Sequence, residues 1–176
     1  MPLSLLNNSL VHIGFMPDAA GINRQIMDAF LRFCEDDFSR RSHFFGGRYE
    51  NLYFERESIP AVKLVLEQAN SFAAEILKVN RQGLRSGFWI NDMGSDQSTT
   101  EHDHDDNDEV LSGVYYVHVP KESGELVIVD KHCRTLIEPQ AGMFVFFAPN
   151  VVHSVSVNRS KERRISMGMN FGPVTD

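Results

Sequence analysis

The sequence predicts a mainly β chain, one jelly-roll or antiparallel barrel domain with N-terminal helices supporting it. Three observations carry that expectation. From Ser86 onward, short alternating or apolar runs follow one another, each closed by turn residues. Two helical stripes precede them. The length of 176 residues, with 42% hydrophobic content and 13 Phe, suits a single domain able to bury its own core.

The elements can be justified in order. Ile22, Ile26, Phe30 and Cys34 step by four, with Met27, Leu31 and Phe38 beside them, so a helix is expected over 22–38. A second is expected from Pro60 to about Val79. Pro60 suits its first turn, Val62, Leu66, Ala69, Ala73, Ile76 and Leu77 line one side, and Asn80 and Gly83 supply a stop. The aromatic segment 42–58 between them, SHFFGGRYENLYFERES, fits neither period. Its ENLYFE stretch is similar to an expression-tag protease site, but Glu55 stands where that site has Gln, and we take it as native chain. Strands are expected at 86–93, 111–119, 125–129, 134–138, 142–148, 152–158 and 164–171. Helical support thus covers about 1–84, and the barrel about 85–172.

The net charge of -7 is local. Six of 24 acids lie in the window 101–109, EHDHDDNDE, and the rest of the chain is nearly balanced. No basic stripe suits a nucleic acid, and no run approaches the roughly 18 apolar residues of a membrane helix. Cys34 and Cys133 form no disulfide framework, and MPLSLLNNSL has no basic leader region, so a cytoplasmic protein is expected. A homodimer is compatible with the sequence.

The acidic window holds two overlapping metal-ligand spellings, His102-x-His104 and His104-x-Asp106. In extended chain, residues i and i+2 share a face, so either pair can converge on one ion. His153, after the apolar run GMFVFFAPNVV, is the best third ligand. Two His and a carboxylate make a facial triad that leaves positions open on a six-coordinate iron. A calcium loop does not fit, because counting from Asp103 the sixth position lacks Gly and Val114 takes the place of the twelfth-position Glu. Alternation in RRISMGMNF places Arg164, Ser166, Gly168 and Asn170 on one face and Ile165, Met167, Met169 and Phe171 on the other. A polar face headed by Arg suits a buried carboxylate. Tyr116, sharing a face of LSGVYYVHV with Ser112, Val114 and His118, is placed to donate to the same group.

The stretches HDHDDNDEVLSGVYYV, GELVIVD, IEPQAGMFVFF and HSVSVNRSKERRIS resemble the 2-oxoglutarate- and Fe(II)-dependent oxygenases over roughly 86–172. The resemblance implies a double-stranded β-helix and a dioxygenase of hydroxylase type. It implies Fe(II) as cofactor, 2-oxoglutarate as co-substrate, dioxygen, and a small-molecule or amino-acid substrate. It makes His153 the distal metal ligand, Arg164 the grip on the far carboxylate of 2-oxoglutarate, and Ser166 and Tyr116 its helpers. Ungapped spacing up to LSG puts His104 and Asp106 on the first ligand pair, the choice favoured here because it supplies one carboxylate. A short insertion would choose His102 and His104. A cupin using His102, His104, Glu109 and His153 is the rival reading, and it leaves Arg164 and Ser166 without a role. A non-enzymatic metal-binding domain is a third. Trp89, Asn91 and Asn170 are further candidates for the pocket wall, with RYENLYF as a lid.

Overall fold

The computed structural model describes residues 4–6, 11–104, 108–130 and 133–174. Its first half runs β1 (Ser4–Leu6), β2 (Val11–Phe15), α1 (Ala19–Phe30), β3 (Arg40–Phe45), β4 (Arg48–Tyr53) and α2 (Pro60–Leu77). The second half is all strand: β5 (Leu84–Met93), β6 (Leu111–His118), β7 (Leu126–Asp130), β8 (Cys133–Ile137), β9 (Met143–Phe147), β10 (Val152–Val155) and β11 (Arg164–Pro173). They build an eight-stranded antiparallel sheet, in the order β1-β2-β9-β6-β11-β5-β4-β3, and a three-stranded sheet, β10-β7-β8. This is the expected jelly roll, and each barrel strand begins within two residues of its expected start.

The first half does more than support it. Four of its strands extend the large sheet on both edges. The segment that fits neither period is a hairpin. Phe45 pairs with Arg48 across Gly46 and Gly47, whose φ values of 56° and 80° are the two positive angles of a tight hairpin turn. The first helix is shorter than its stripe suggests. It ends at Phe30, and Cys34 and Phe38 flank a separate 3-10 turn, from which Phe38 still packs on Phe30 and Phe33. The second helix stops at Leu77 because Lys78 takes a left-handed conformation, with no help from Gly83.

Alternation sorts the core. Phe144 and Phe146 of β9, with Ile165, Met167, Met169 and Phe171 of β11, turn outward onto α1 and α2 and are completely buried there. Their neighbours Met143, Val145 and Phe147 turn inward, toward Leu126 and Ile128 of the small sheet. Burying an aromatic or large aliphatic side chain contributes about 1.5–3 kcal/mol, so the helices fix the large sheet from outside. Its inner face is left free for chemistry.

Candidate active site

Histidines 102, 104 and 153 come together at the mouth between the two sheets. One imidazole nitrogen from each lies within 4.8 Å of the others, a separation that a single ion can bridge. The backbone explains the convergence. His102 and His153 exchange both main-chain hydrogen bonds, at 3.0 and 2.9 Å, in an antiparallel bridge beside β10. His104, two residues on, is anchored by its N–H to the Pro149 carbonyl at 2.8 Å. The i, i+2 spacing then keeps both imidazoles on one side.

The ring tautomers follow from the hydrogen bonds. His153 Nδ1 lies 2.9 Å from the Val151 carbonyl and His102 Nδ1 lies 2.9 Å from the Thr100 carbonyl. A carbonyl only accepts, so Nδ1 donates in each ring and the Nε2 lone pair is left for a metal. Burial pushes the His153 pKa down to about 3, with His102 adding to the effect. A neutral imidazole is the form a cation requires.

Deeper in the same cavity lie the residues expected to hold a carboxylate. Arg164, Tyr116 and Ser166 are buried, and β11 pairs Ser166 directly against Tyr116. The Arg164 guanidinium sits 5.1 Å from the Tyr116 ring centroid, and its Nη1 donates to the Gly124 carbonyl at 3.2 Å. Burial lowers the Arg164 pKa, since a cation is costly there without an anion, while burial raises that of the Tyr116 hydroxyl. Arg164 Nε and Tyr116 Oη are both buried without a hydrogen-bond partner among the described residues. A buried donor left unpaired costs about 1–3 kcal/mol. Two such donors beside an unpaired cation fit one carboxylate.

The cavity is narrow, with a volume of about 70 Å³. Trp89 and Asn91 line it as expected. Asn170 instead faces an adjoining groove beside His104 and Glu109, where it accepts from the Ser112 hydroxyl at 2.9 Å. Glu109 is not a member of the histidine cluster, which removes the four-ligand cupin arrangement. Asp106, the favoured carboxylate ligand, lies outside the described residues. Of the window's other acids, Glu101 pairs with Arg134 at 2.6 Å and Asp108 pairs with Arg85. Sequence reasoning named RYENLYF only as a lid and did not single out Arg48 and Glu50, which line the cavity from β4. The signal was present in the Gly46-Gly47 turn followed by Arg48-x-Glu50, two charges on one strand face.

Residues 88–172, the stretch that forms the barrel and both halves of this site, match the family model of the 2OG-Fe(II) oxygenase superfamily. The barrel belongs to that superfamily. Iron(II) and 2-oxoglutarate are therefore the oxygenase's cofactor and co-substrate. No curated protein matches the chain. Among solved structures it is similar to a Pseudomonas putida prolyl-4-hydroxylase, with 16% identity, 94% of this chain and 88% of that chain covered, and a TM-score of 0.67. A Trichoplax adhaerens prolyl hydroxylase in complex with a hypoxia inducible factor peptide fragment gives 13% identity, coverage of 95% and 85%, and a TM-score of 0.70. The α-ketoglutarate-dependent carbocyclase SnoK from nogalamycin biosynthesis gives 15%, 92% and 79%, and 0.72. At such identities these likenesses speak for the fold of the oxygenase and leave its substrate open.

Proposed function

We propose that this oxygenase hydroxylates a small molecule or an amino-acid side chain, holding iron(II) on His102, His104 and His153 and 2-oxoglutarate on Arg164, Tyr116 and Ser166. The observation that carries the reading is the buried pair of unpartnered donors, Arg164 Nε and Tyr116 Oη, in one cavity with three convergent imidazoles. Three His in place of His104, Asp106 and His153 departs from the ungapped spacing. It is supported by the bridge between His102 and His153, which places the earlier histidine of the window against the distal one.

With iron and 2-oxoglutarate bound, the site supplies the oxidising power that converts dioxygen, 2-oxoglutarate and a substrate C–H into succinate, carbon dioxide and a C–OH group. The chain's own residues do the rest. The Nδ1 hydrogen bonds of His102 and His153 hold their rings in one tautomer and orientation. Arg164 neutralises the far carboxylate of 2-oxoglutarate, Tyr116 donates its hydroxyl to it, and Ser166 donates from the neighbouring strand. Trp89 and Phe147 close the walls around the imidazoles and keep water away, their rings 5.6 Å from His104 and 4.6 Å from His153 respectively. A cytoplasmic place of action belongs to the same reading and accords with the exposed free thiol of Cys34.

Anaerobic titration with iron(II) and then 2-oxoglutarate tests the assignment. A weak visible charge-transfer band is expected, followed by succinate on admission of oxygen. Absence of both, with metal affinity and 2-oxoglutarate response untouched by Arg164→Ala, would overturn it.

A further inference from the structure

The cavity holds a second guanidinium that the 2-oxoglutarate site does not use. Arg48 opens β4, and Glu50 follows at i+2 on the same strand face. Both side chains are withdrawn from solvent, at 13% and 7% exposure, and both line the cavity. Their mutual contact is a poor one. A single Arg48 nitrogen, Nη2, stretches 3.5 Å to Glu50 Oε1 and 3.4 Å to the Ser98 carbonyl. Strong arginine–carboxylate contacts are frequently two-pronged and near 2.7–2.9 Å, and this one is neither. Here Nη1 is buried with no partner among the described residues.

The surroundings indicate what this pair is spaced to receive. Arg48 and Arg164 line one cavity, so two guanidiniums face it and an anion is favoured there. Glu50 lines the same cavity as His102, His104 and His153, so its carboxylate and the histidine cluster share one space. A substrate carrying only negative charge would meet Glu50. One carrying only positive charge would meet two guanidiniums. A molecule with an ammonium and a carboxylate on neighbouring atoms satisfies both partners, each charge facing its opposite.

We propose that Arg48 and Glu50 form a headgroup site for a free α-amino acid, Arg48 binding the α-carboxylate and Glu50 the α-ammonium, with the side chain directed to the histidine cluster. The proposal rests on the oxygenase reading above and names the substrate class of that same site. It makes the β3–β4 hairpin the specificity element, since the turn at Gly46-Gly47 delivers Arg48 to the cavity.

The test is calorimetric titration of the full chain, loaded anaerobically with iron(II) and 2-oxoglutarate, with each proteinogenic L-amino acid. Each binder is then retested as its N-acetyl and C-amide derivative. Removing one charge-assisted hydrogen bond costs roughly 1.5–3 kcal/mol, so either blocking group is expected to weaken binding by about 10-fold to 100-fold. In Glu50→Gln the penalty for N-acetylation is expected to shrink below about 3-fold, and in Arg48→Gln the penalty for amidation likewise. The penalties are ratios within one variant, so a general loss of affinity does not mimic them. If Arg48→Gln does not fold, Arg48→Lys keeps the charge without the fork and should halve the amidation penalty or better. Failure of every free amino acid to bind would overturn the proposal. So would blocked derivatives binding as tightly as free ones, or penalties that persist in the variants. The 2-oxoglutarate isotherm of the wild type is read first: its absence overturns the oxygenase assignment, whereas its presence without amino-acid binding overturns only the headgroup site.

Discussion

Tyr116→Phe separates the stability of this barrel from its function. The hydroxyl of Tyr116 is fully buried, has no hydrogen-bond partner among the described residues, and lies beside a guanidinium that has none for its Nε. In a typical buried site, removing a hydrogen-bonded hydroxyl costs about 1 kcal/mol of stability, or roughly 2–4 °C in Tm for a chain of this size. Here no protein contact is lost, so Tm without 2-oxoglutarate should hold or rise by up to that amount. Affinity for 2-oxoglutarate should move the other way. Losing a hydrogen bond to a charged carboxylate costs about 1.5–3 kcal/mol, which corresponds to roughly 10-fold to 100-fold weaker binding. Two assays read the two effects: differential scanning calorimetry without ligand, and isothermal titration of the metal-loaded protein with 2-oxoglutarate. A fall in Tm of several degrees with unchanged 2-oxoglutarate affinity would refute the reasoning, because the hydroxyl would then be a structural group.

Other expectations follow from the same geometry. His102→Ala, His104→Ala and His153→Ala should each weaken cobalt(II) binding by about 100-fold or more, while Asp106→Ala should change it only a few-fold. The reverse result for His102 and Asp106 would restore the pair favoured by ungapped spacing. The His153 pKa is pushed down to about 3 by burial, below its unfolded value of 6.5, so the unfolded chain binds the extra proton between those values. The stability of the metal-free protein should therefore be full above pH 6.5 and fall by up to ~1.4 kcal/mol per unit below it. Burial raises Glu50 and Asp92, which act in the opposite sense in the carboxylate range, and lowers His12, which acts in the same sense as His153, so urea unfolding between pH 7 and about 5 reads the two histidines together. In His153→Asn that slope should shrink. A Cβ added at Gly168 would come within 2.3 Å of the Trp89 indole, so Gly168→Ala should destabilise by about 1–3 kcal/mol and displace the ring. Because Trp89 is the single Trp of the chain and lies 5.6 Å from His104, its fluorescence should report that displacement and should be quenched by cobalt(II) in the wild type.

Much of the barrel was legible because β alternation is a local code. RISMGMNF reads as one apolar and one polar face whatever surrounds it, and β11 places Met167 under the helices and Ser166 in the cavity as that code requires. The hairpin at 40–53 was harder. Its outer strand β3 is a largely exposed edge strand and β4 inside it has mixed exposure, so no clean alternation marks them, and only the Gly46-Gly47 pair signals the turn. The first helix was over-extended because Cys34 and Phe38 keep its apolar spacing, although Cys34 is exposed and only Phe38 packs on the core, from a different segment.

By itself, the sequence determined the class of fold, and it nominated candidates for the site: His104 and Asp106 or His102 and His104 from the acidic window, a distal His153, and an Arg164-x-Ser166 face beside Tyr116. Periodicity and side-chain chemistry are properties of short stretches, so they survive without knowledge of the partners. Which groups meet was decided only in three dimensions. The bridge between His102 and His153 brings together two histidines whose meeting spacing alone left open. The turn at Gly46-Gly47 carries Arg48 and Glu50, from a segment expected only as a lid, into the cavity wall. Strand pairing between residues distant in sequence, His102 with His153 and Leu52 with Ile90, sets both meetings, and no local pattern encodes that register.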